Sequence, residues 1–226
     1  MAEILIEAGR VTIDGRVADL GNRVDADSQE IRVDGKLVPA APSAVYFLLN
    51  KPTGVITTAD DPHGRPTVVE MINTDVRIFP VGRLDMTTEG LLLLTNDGRL
   101  AHLLTHPSVG IEKEYLVRVE GDPSPASIRR LREGIQLEDG LTAPAQVSRV
   151  SDGVLRIVIH EGKNRQVRRM CEAIGHDVIR LVRTRIGPIQ DAKLTPGGSR
   201  SLSVGEVRKL MDAVGFAGQP ETTITS

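Results

Sequence analysis

The chain has no tryptophan and only five aromatic residues in 226, namely Tyr46, Phe47, Phe79, Tyr115 and Phe216. A protein that stacks several single-stranded bases on an aromatic platform needs more ring faces than that. Any recognition of RNA would rest on arginine, backbone and shape, with one or two stacking contacts at most. The single cysteine, Cys171, excludes an internal disulfide. No apolar run approaches the roughly 18 residues that a membrane helix needs. The opening Met-Ala-Glu-Ile lacks the basic and apolar regions of a secretory signal, so a cytoplasmic protein is expected. His63 stands alone in a turn-rich loop. His102 and His106 are four apart but lack the glutamate of the zinc motif, so they read as a solvated edge and no metal is expected.

What the chain does contain is a 40% hydrophobic fraction, enough for a sizeable core in one large domain or one medium and one small domain. The net charge of −2 argues against a uniformly basic coat for nucleic acid. The local distribution differs. Between Glu161 and Arg185 seven basic residues (Lys163, Arg165, Arg168, Arg169, Arg180, Arg183, Arg185) face three acidic ones (Glu161, Glu172, Asp177), a local excess of +4. Such a cluster, mostly arginine, suits a phosphate-binding surface; the plainer alternative is a solvated helix face.

Residues 2–9 read as a short helix ended by Gly9. Arg10 to Val17 and Ile31 to Val38 read as hairpins turning on Asp14-Gly15 and Asp34-Gly35. This small module is expected to end near residue 40, at the proline/alanine segment Pro39 to Pro42. The second domain opens with the apolar strand Val45 to Leu49, after which Lys51-Pro52 presents Lys51 at a strand end. Arg99 to His106 reads as a helix, and Lys113 to Val119 as a strand with Tyr115, Val117 and Val119 on one face. Tyr115 is open to two readings, a core aromatic with a bonded hydroxyl or a pocket wall. Ser124-Pro125 begins a helix that ends near Gly134. Strands follow over 145–150 and 154–160. A helix from Asn164 buries Val167, Met170, Cys171 and Ile174, and its N-terminus is a favourable place for phosphate. A strand over 178–183 comes next. The last helix carries a capping box, Ser203 with Glu206, and a disordered tail is expected over 215–226.

One stretch organises the rest: Val81 to Gly98, VGRLDMTTEGLLLLTNDG. Four consecutive leucines bounded by turn residues fit a strand buried on both faces. Asp85 and Glu89 therefore sit on a loop leading into the core of a sheet, where a carboxylate has a fixed position. On the tetrapeptide Gly82-Arg83-Leu84-Asp85 alone, an ion pair of Arg83 with Asp85 capping a loop is the simpler reading.

Four blocks in order carry a resemblance: Asn50-Lys51-Pro52-x-Gly54; Gly82-Arg83-Leu84-Asp85 with Thr88-Glu89-Gly90-Leu91; Lys113-x-Tyr115; and Glu161-Gly162-x-Asn164-Arg165-Gln166-Val167-Arg168-Arg169-Met170. Together they resemble the ribosomal RNA pseudouridine synthase family, in its S4-domain branch and closest to the B-type synthases that act on large-subunit RNA. The resemblance spans Ala2 to about Leu210. Gly9-Arg10-Val11-Thr12-Ile13-Asp14-Gly15 is similar to the later part of an S4-type RNA-binding domain, without the basic helix that usually precedes it. A small β-rich appendage is the equal alternative for this module.

The resemblance implies an α+β fold with a mixed, mainly antiparallel sheet, flanking helices and a central cleft. A partial S4-like module over 1–40 would precede a catalytic domain over 41–214. It also implies a cofactor-free isomerisation, in which a uridine of ribosomal RNA loses its C1′–N1 bond, the uracil turns, and C5 bonds to C1′. The RNA would be free or in an assembling subunit, and the enzyme a monomer. By the same resemblance Asp85 is the nucleophile, Tyr115 packs on the target base and Arg168 pairs with the aspartate. RNA contacts are expected from Lys51, Arg83, Lys163, Asn164, Arg165, Arg169 and Arg183. The chemistry agrees. Removing uracil develops positive charge on the sugar, which an ionised carboxylate stabilises or captures, and an adjacent arginine keeps that carboxylate charged against burial. Two other classes compete. A non-catalytic RNA-binding assembly factor would not need a carboxylate in a phosphate-attracting site. A glycoside hydrolase using Asp85 and Glu89 lacks aromatic platforms for sugar.

Overall fold

The computed structural model describes residues 2–22, 24, 29–38 and 42–216. The linker expected at 39–42 and the tail expected at 215–226 fall largely outside the described residues. The chain forms two compact units, Met1–Ser43 and Ala44–Ser226.

In the first unit, helix α1 (Ala2–Glu7) precedes two hairpins, β1 (Val11–Ile13) with β2 (Arg16–Val17) and β3 (Ile31–Val33) with β4 (Lys36–Leu37). They form one antiparallel sheet in the order β2-β1-β3-β4. Both turns have positive φ at both central residues, 49° and 79° at Asp14-Gly15, and 52° and 76° at Asp34-Gly35. That geometry matches the twist of the flanking strands, which is why Asp-Gly specifies it. Among the described residues of this unit only Ala18 is buried, so turn chemistry carries much of the local order, and the half-exposed Arg10–Asp34 ion pair adds little.

The second unit is built on β5 (Tyr46–Lys51), β6 (Phe79–Val81), β7 (Glu89–Thr95), α2 (Gly98–Thr105), β8 (Lys113–Val119), α3 (Pro125–Glu133), β9 (Gln136–Leu137), β10 (Gly140–Leu141), β11 (Gln146–Ser151), β12 (Val154–Ile159), α4 (Gln166–Glu172), β13 (Val178–Ile186), β14 (Ile189–Gln190), β15 (Ser199–Ser201) and α5 (Val204–Ala213). Its main sheet runs β11-β12-β8-β13-β7-β5-β15, with β6 on β7 and β14 on β13; β9 and β10 pair separately. Every pairing between these strands is antiparallel except that of β7 with β13. The fold is therefore α+β with a mixed, mainly antiparallel sheet.

The leucine run explains the layering. Leu92 and Leu94 face a core shared with Leu49, Val117, Leu155, Ile157, α3 and α4. Leu91 and Leu93 face a second core shared with Tyr46, Leu48, α2 and α5. All four leucines are 3% exposed or less, and burial of each contributes about 2 kcal/mol. This doubly buried strand is the anchor from which the preceding loop is presented.

The last helix shows how local signals fix an element. The Ser203 hydroxyl accepts from the Glu206 amide at 3.3 Å, and the Glu206 carboxylate accepts from the Ser203 amide at 2.8 Å. Arg200 pairs with the same carboxylate at 2.8 Å and holds it well below its ordinary range, at about 2. A depressed carboxyl stabilises the fold above its unfolded value and loses that contribution as pH falls through the folded one. Ser203→Ala is expected to cost about 1 kcal/mol, read as a lower denaturant midpoint.

Candidate active site

The loop of residues 82–88 connects β6 to β7 and has no strand ladder of its own, so its backbone groups need other partners. Each carbonyl from Leu84 to Thr88 has one. Leu84 O accepts from the Thr57 hydroxyl at 2.7 Å. Asp85 O accepts from Lys51 Nζ at 3.1 Å and from the Thr88 amide at 3.0 Å. Met86 O accepts from the Gly54 amide at 2.9 Å. Thr87 O accepts from Arg168 Nη2 at 3.0 Å, and Thr88 O from Lys51 Nζ at 2.9 Å. Two segments distant in sequence, residues 51–57 and the start of α4, thus fasten the backbone on either side of Asp85, while its side chain stays 34% exposed.

The carboxylate faces Arg165, whose Nη1 lies 3.9 Å from Asp85 Oδ2. Arg165 has left-handed backbone, φ 46° and ψ 32°, which costs an ordinary side chain about 1 kcal/mol. Strain of this kind gathers where geometry serves a site. Arg168 follows on the first turn of α4 and is 7% exposed. Its guanidinium bonds the carbonyls of Thr87 and Val178 rather than the carboxylate. Arg168 therefore supports the loop while Arg165 supplies the ion pair, which corrects the expected pairing of Arg168 with Asp85. The expected helix from Asn164 starts at Gln166 for the same reason: a left-handed residue cannot continue a right-handed helix.

Tyr115 lies in register with Ile157 on one side and Arg183 on the other; Arg183 aligns with Gly90, and Gly90 with Lys51. One row across the sheet thus joins the tyrosine to the base of the Asp85 loop. Tyr115 is 8% exposed, and its hydroxyl has no hydrogen bond among the described residues. At Gly90, φ is 110° and a Cβ would sit 2.3 Å from the Arg183 carbonyl oxygen, so no side chain fits where β7 meets β13.

The residues expected to meet RNA divide into two sets. Arg83, Asn164 and Arg165 are exposed. Lys51 is 0% exposed, and its ammonium is spent on the carbonyls of Pro52, Asp85 and Thr88. Burial pushes it down to about 8, against the opposing pull of Asp85 and Glu89. Arg183 is 4% exposed and donates Nε to Leu91 O at 2.7 Å. Both are corrected from surface cations to internal struts. Lys163 bonds the carbonyls of Asp139, Gly140 and Leu141, and Arg169 grips the Asp139 carboxylate at 2.8 and 2.9 Å. Arg180 and Arg185 pair with Glu89 and Glu112. Much of the local positive excess is thereby matched by carboxylates from elsewhere in the chain. Thr57 and Gly54 were not among the expected site residues; Gly54 lay in a quoted motif, whereas nothing local marks Thr57.

A carboxylate fixed on a braced loop beside an arginine, with a tyrosine in the sheet row that reaches the base of that loop, is the candidate active site. The sequence matches the RNA pseudouridylate synthase family over residues 45–173, which include Asp85, Tyr115, Arg165 and Arg168. The chain belongs to that family, whose enzymatic class is isomerase. Among its relatives, ribosomal large subunit pseudouridine synthase B of Bacillus subtilis is 45% identical over 217 residues, covering 92% of this chain and 88% of the relative. The protein of the same name from Vibrio cholerae is 42% identical, over 98% of this chain and 73% of the relative. A crystal structure of a pseudouridylate synthase superposes with a TM-score of 0.71 at 33% identity, covering 92% of each chain. Among the described residues no helix is long and apolar enough to cross a membrane.

Proposed function

We propose that the protein isomerises specific uridines of large-subunit ribosomal RNA to pseudouridine, in the cytoplasm, as a monomer and without a cofactor. The names of its B-type relatives support the substrate. The chemistry rests on one observation: the Asp85 carboxylate is partly open to solvent on a loop whose carbonyls from Leu84 to Thr88 are all engaged.

In this reading the target uridine is flipped from its stack at a cost of a few kcal/mol. Exposed Arg83, Asn164 and Arg165 offset that cost through phosphate and sugar contacts. Asp85 meets the positive charge that develops on the sugar as the C1′–N1 bond breaks. The detached uracil stays against Tyr115, turns, and bonds through C5 to C1′. The C5 proton leaves to water and N1 regains one, so product and substrate are isomers. Arg168 and Lys51 hold the loop, and Arg183 braces the following strand at Leu91 O. The N-terminal unit, read as S4-like, adds RNA contacts.

The test uses transcripts tritiated at uracil C5, since forming the new bond releases that tritium. Large-subunit ribosomal transcripts are expected to release it in proportion to enzyme turnover, and small-subunit transcripts to release none above background. Release from small-subunit RNA alone would contradict the assigned substrate.

A further inference from the structure

We infer that Thr57 is a positioning residue for Asp85, an inference that rests on the isomerisation proposed above. Thr57 Oγ1 donates to Leu84 O at 2.7 Å and accepts from Leu84 N at 3.2 Å. One hydroxyl thus closes both backbone groups of the residue immediately before the nucleophile. The Leu84 side chain is 6% exposed within the main core, so this residue is pinned at backbone and side chain together.

Thr57 is itself held. The neighbouring Ile56 donates its amide to Pro66 O at 3.0 Å and accepts from the Val68 amide at 3.0 Å. Val68 is 0% exposed, so the segment carrying Thr57 is tied to the core. A β-branched side chain has few rotamers, which keeps the hydroxyl aimed at Leu84. Thr57 acts through the Leu84 backbone, and its role is to fix where the Asp85 carboxylate sits. Lys51 and Arg168 fasten the loop after Leu84; Thr57 fastens its entry.

Thr57→Val keeps shape and volume but removes both hydrogen bonds. Thr57 is only half-buried, so water can reach the freed Leu84 groups and the loop shifts without unfolding the core. A displacement of about 1 Å at a reacting group costs on the order of 100-fold in rate. Turnover by Thr57→Val is therefore expected to fall about 10- to 100-fold, with KM for RNA within about threefold of wild type. Thr57→Ser keeps the hydroxyl and is expected to regain most of that loss.

The experiment measures tritium release from C5-tritiated large-subunit ribosomal RNA by wild type, Thr57→Val, Thr57→Ser and Thr57→Ala, with amide exchange at Leu84 followed in each. The expected result is a kcat defect in Val and Ala, rescue by Ser, and faster Leu84 exchange only in Val and Ala. If Thr57→Val fails to fold, Thr57→Ala against Thr57→Ser gives the same comparison. Wild-type kcat in Val and Ala, a defect confined to KM, or a Ser variant as poor as Val would overturn the role of Thr57 while leaving the isomerase reading intact. Absence of release by wild type on every RNA overturns both.

Discussion

Asp85→Asn is expected to lower turnover by about 10,000-fold or more while leaving the fold and RNA affinity in place. The side chains have the same shape. The loop is held through its backbone, by Thr57, Gly54, Lys51 and Arg168, and not through the carboxylate. The only ion pair lost among the described residues is the one with Arg165 at 3.9 Å, with both groups a third or more exposed. Such pairs contribute well under about 1 kcal/mol. On the proposed mechanism, what disappears is the anion beside the sugar carbon, and with it both a nucleophile and a partner for the developing positive charge. RNA affinity should hold or rise, because a negative charge near phosphate is removed. Titration at fixed salt alongside single-turnover rates separates the two effects. A rate within tenfold of wild type would remove Asp85 from the chemistry.

Lys51→Met is expected to cost about 3 kcal/mol of stability and most of the activity. Methionine replaces the stem but not the ammonium, whose contacts to Pro52 O, Asp85 O and Thr88 O are 2.9, 3.1 and 2.9 Å. Asp85 O keeps the Thr88 amide, whereas Pro52 O and Thr88 O lose this donor, and each buried carbonyl left without one costs about 1–3 kcal/mol. Relief from burying a charge returns part of that. Asp85 O and Thr88 O belong to the Asp85 loop, so the rate falls with the stability. Lys51 also sets a pH dependence. Its folded value, about 8, lies below the ordinary lysine value of 10.5. The folded protein thus releases this proton first, and the burial penalty fades as pH rises across that interval, adding stability. Turnover should move the other way above about pH 8, because the neutral amine has fewer donors for the same carbonyls. Denaturation midpoints and kcat measured across the interval would show opposite slopes; parallel slopes would contradict this account of Lys51.

Much of the fold was legible because its signals are local. The four leucines identify a doubly buried strand, and Lys113 to Val119 alternates over the full length of β8. The Asp-Gly pairs mark both hairpins of the N-terminal unit, and Ser203 with Glu206 marks the last helix. The strands that sequence reading missed, β6, β9, β10, β14 and β15, are two or three residues long, too short to show a period.

Within the site, sequence reading brought Asp85, Tyr115 and the Arg165–Arg169 segment to the front, but not how the cations are used. Lys51 before a proline looks like an exposed strand end. Its burial depends on a loop 34 residues later that folds over it. Arg165 displaced Arg168 as the ion-pair partner because one left-handed residue delays the helix, and an arginine gives no local sign of that conformation. The basic cluster looked open because its carboxylates, Glu89, Glu112 and Asp139, lie in other segments. Thr57 was invisible because a threonine after a turn has many uses, and only the approach of Leu84 gives it this one.

The most direct test of the central claim sets wild type beside Asp85→Asn on the same C5-tritiated large-subunit transcript, at enzyme concentrations that bind all the RNA. Wild type is expected to release tritium, one equivalent per modified uridine, and Asp85→Asn to release none above background despite full binding. Equal release by the two proteins, or binding without release by wild type, would contradict that claim.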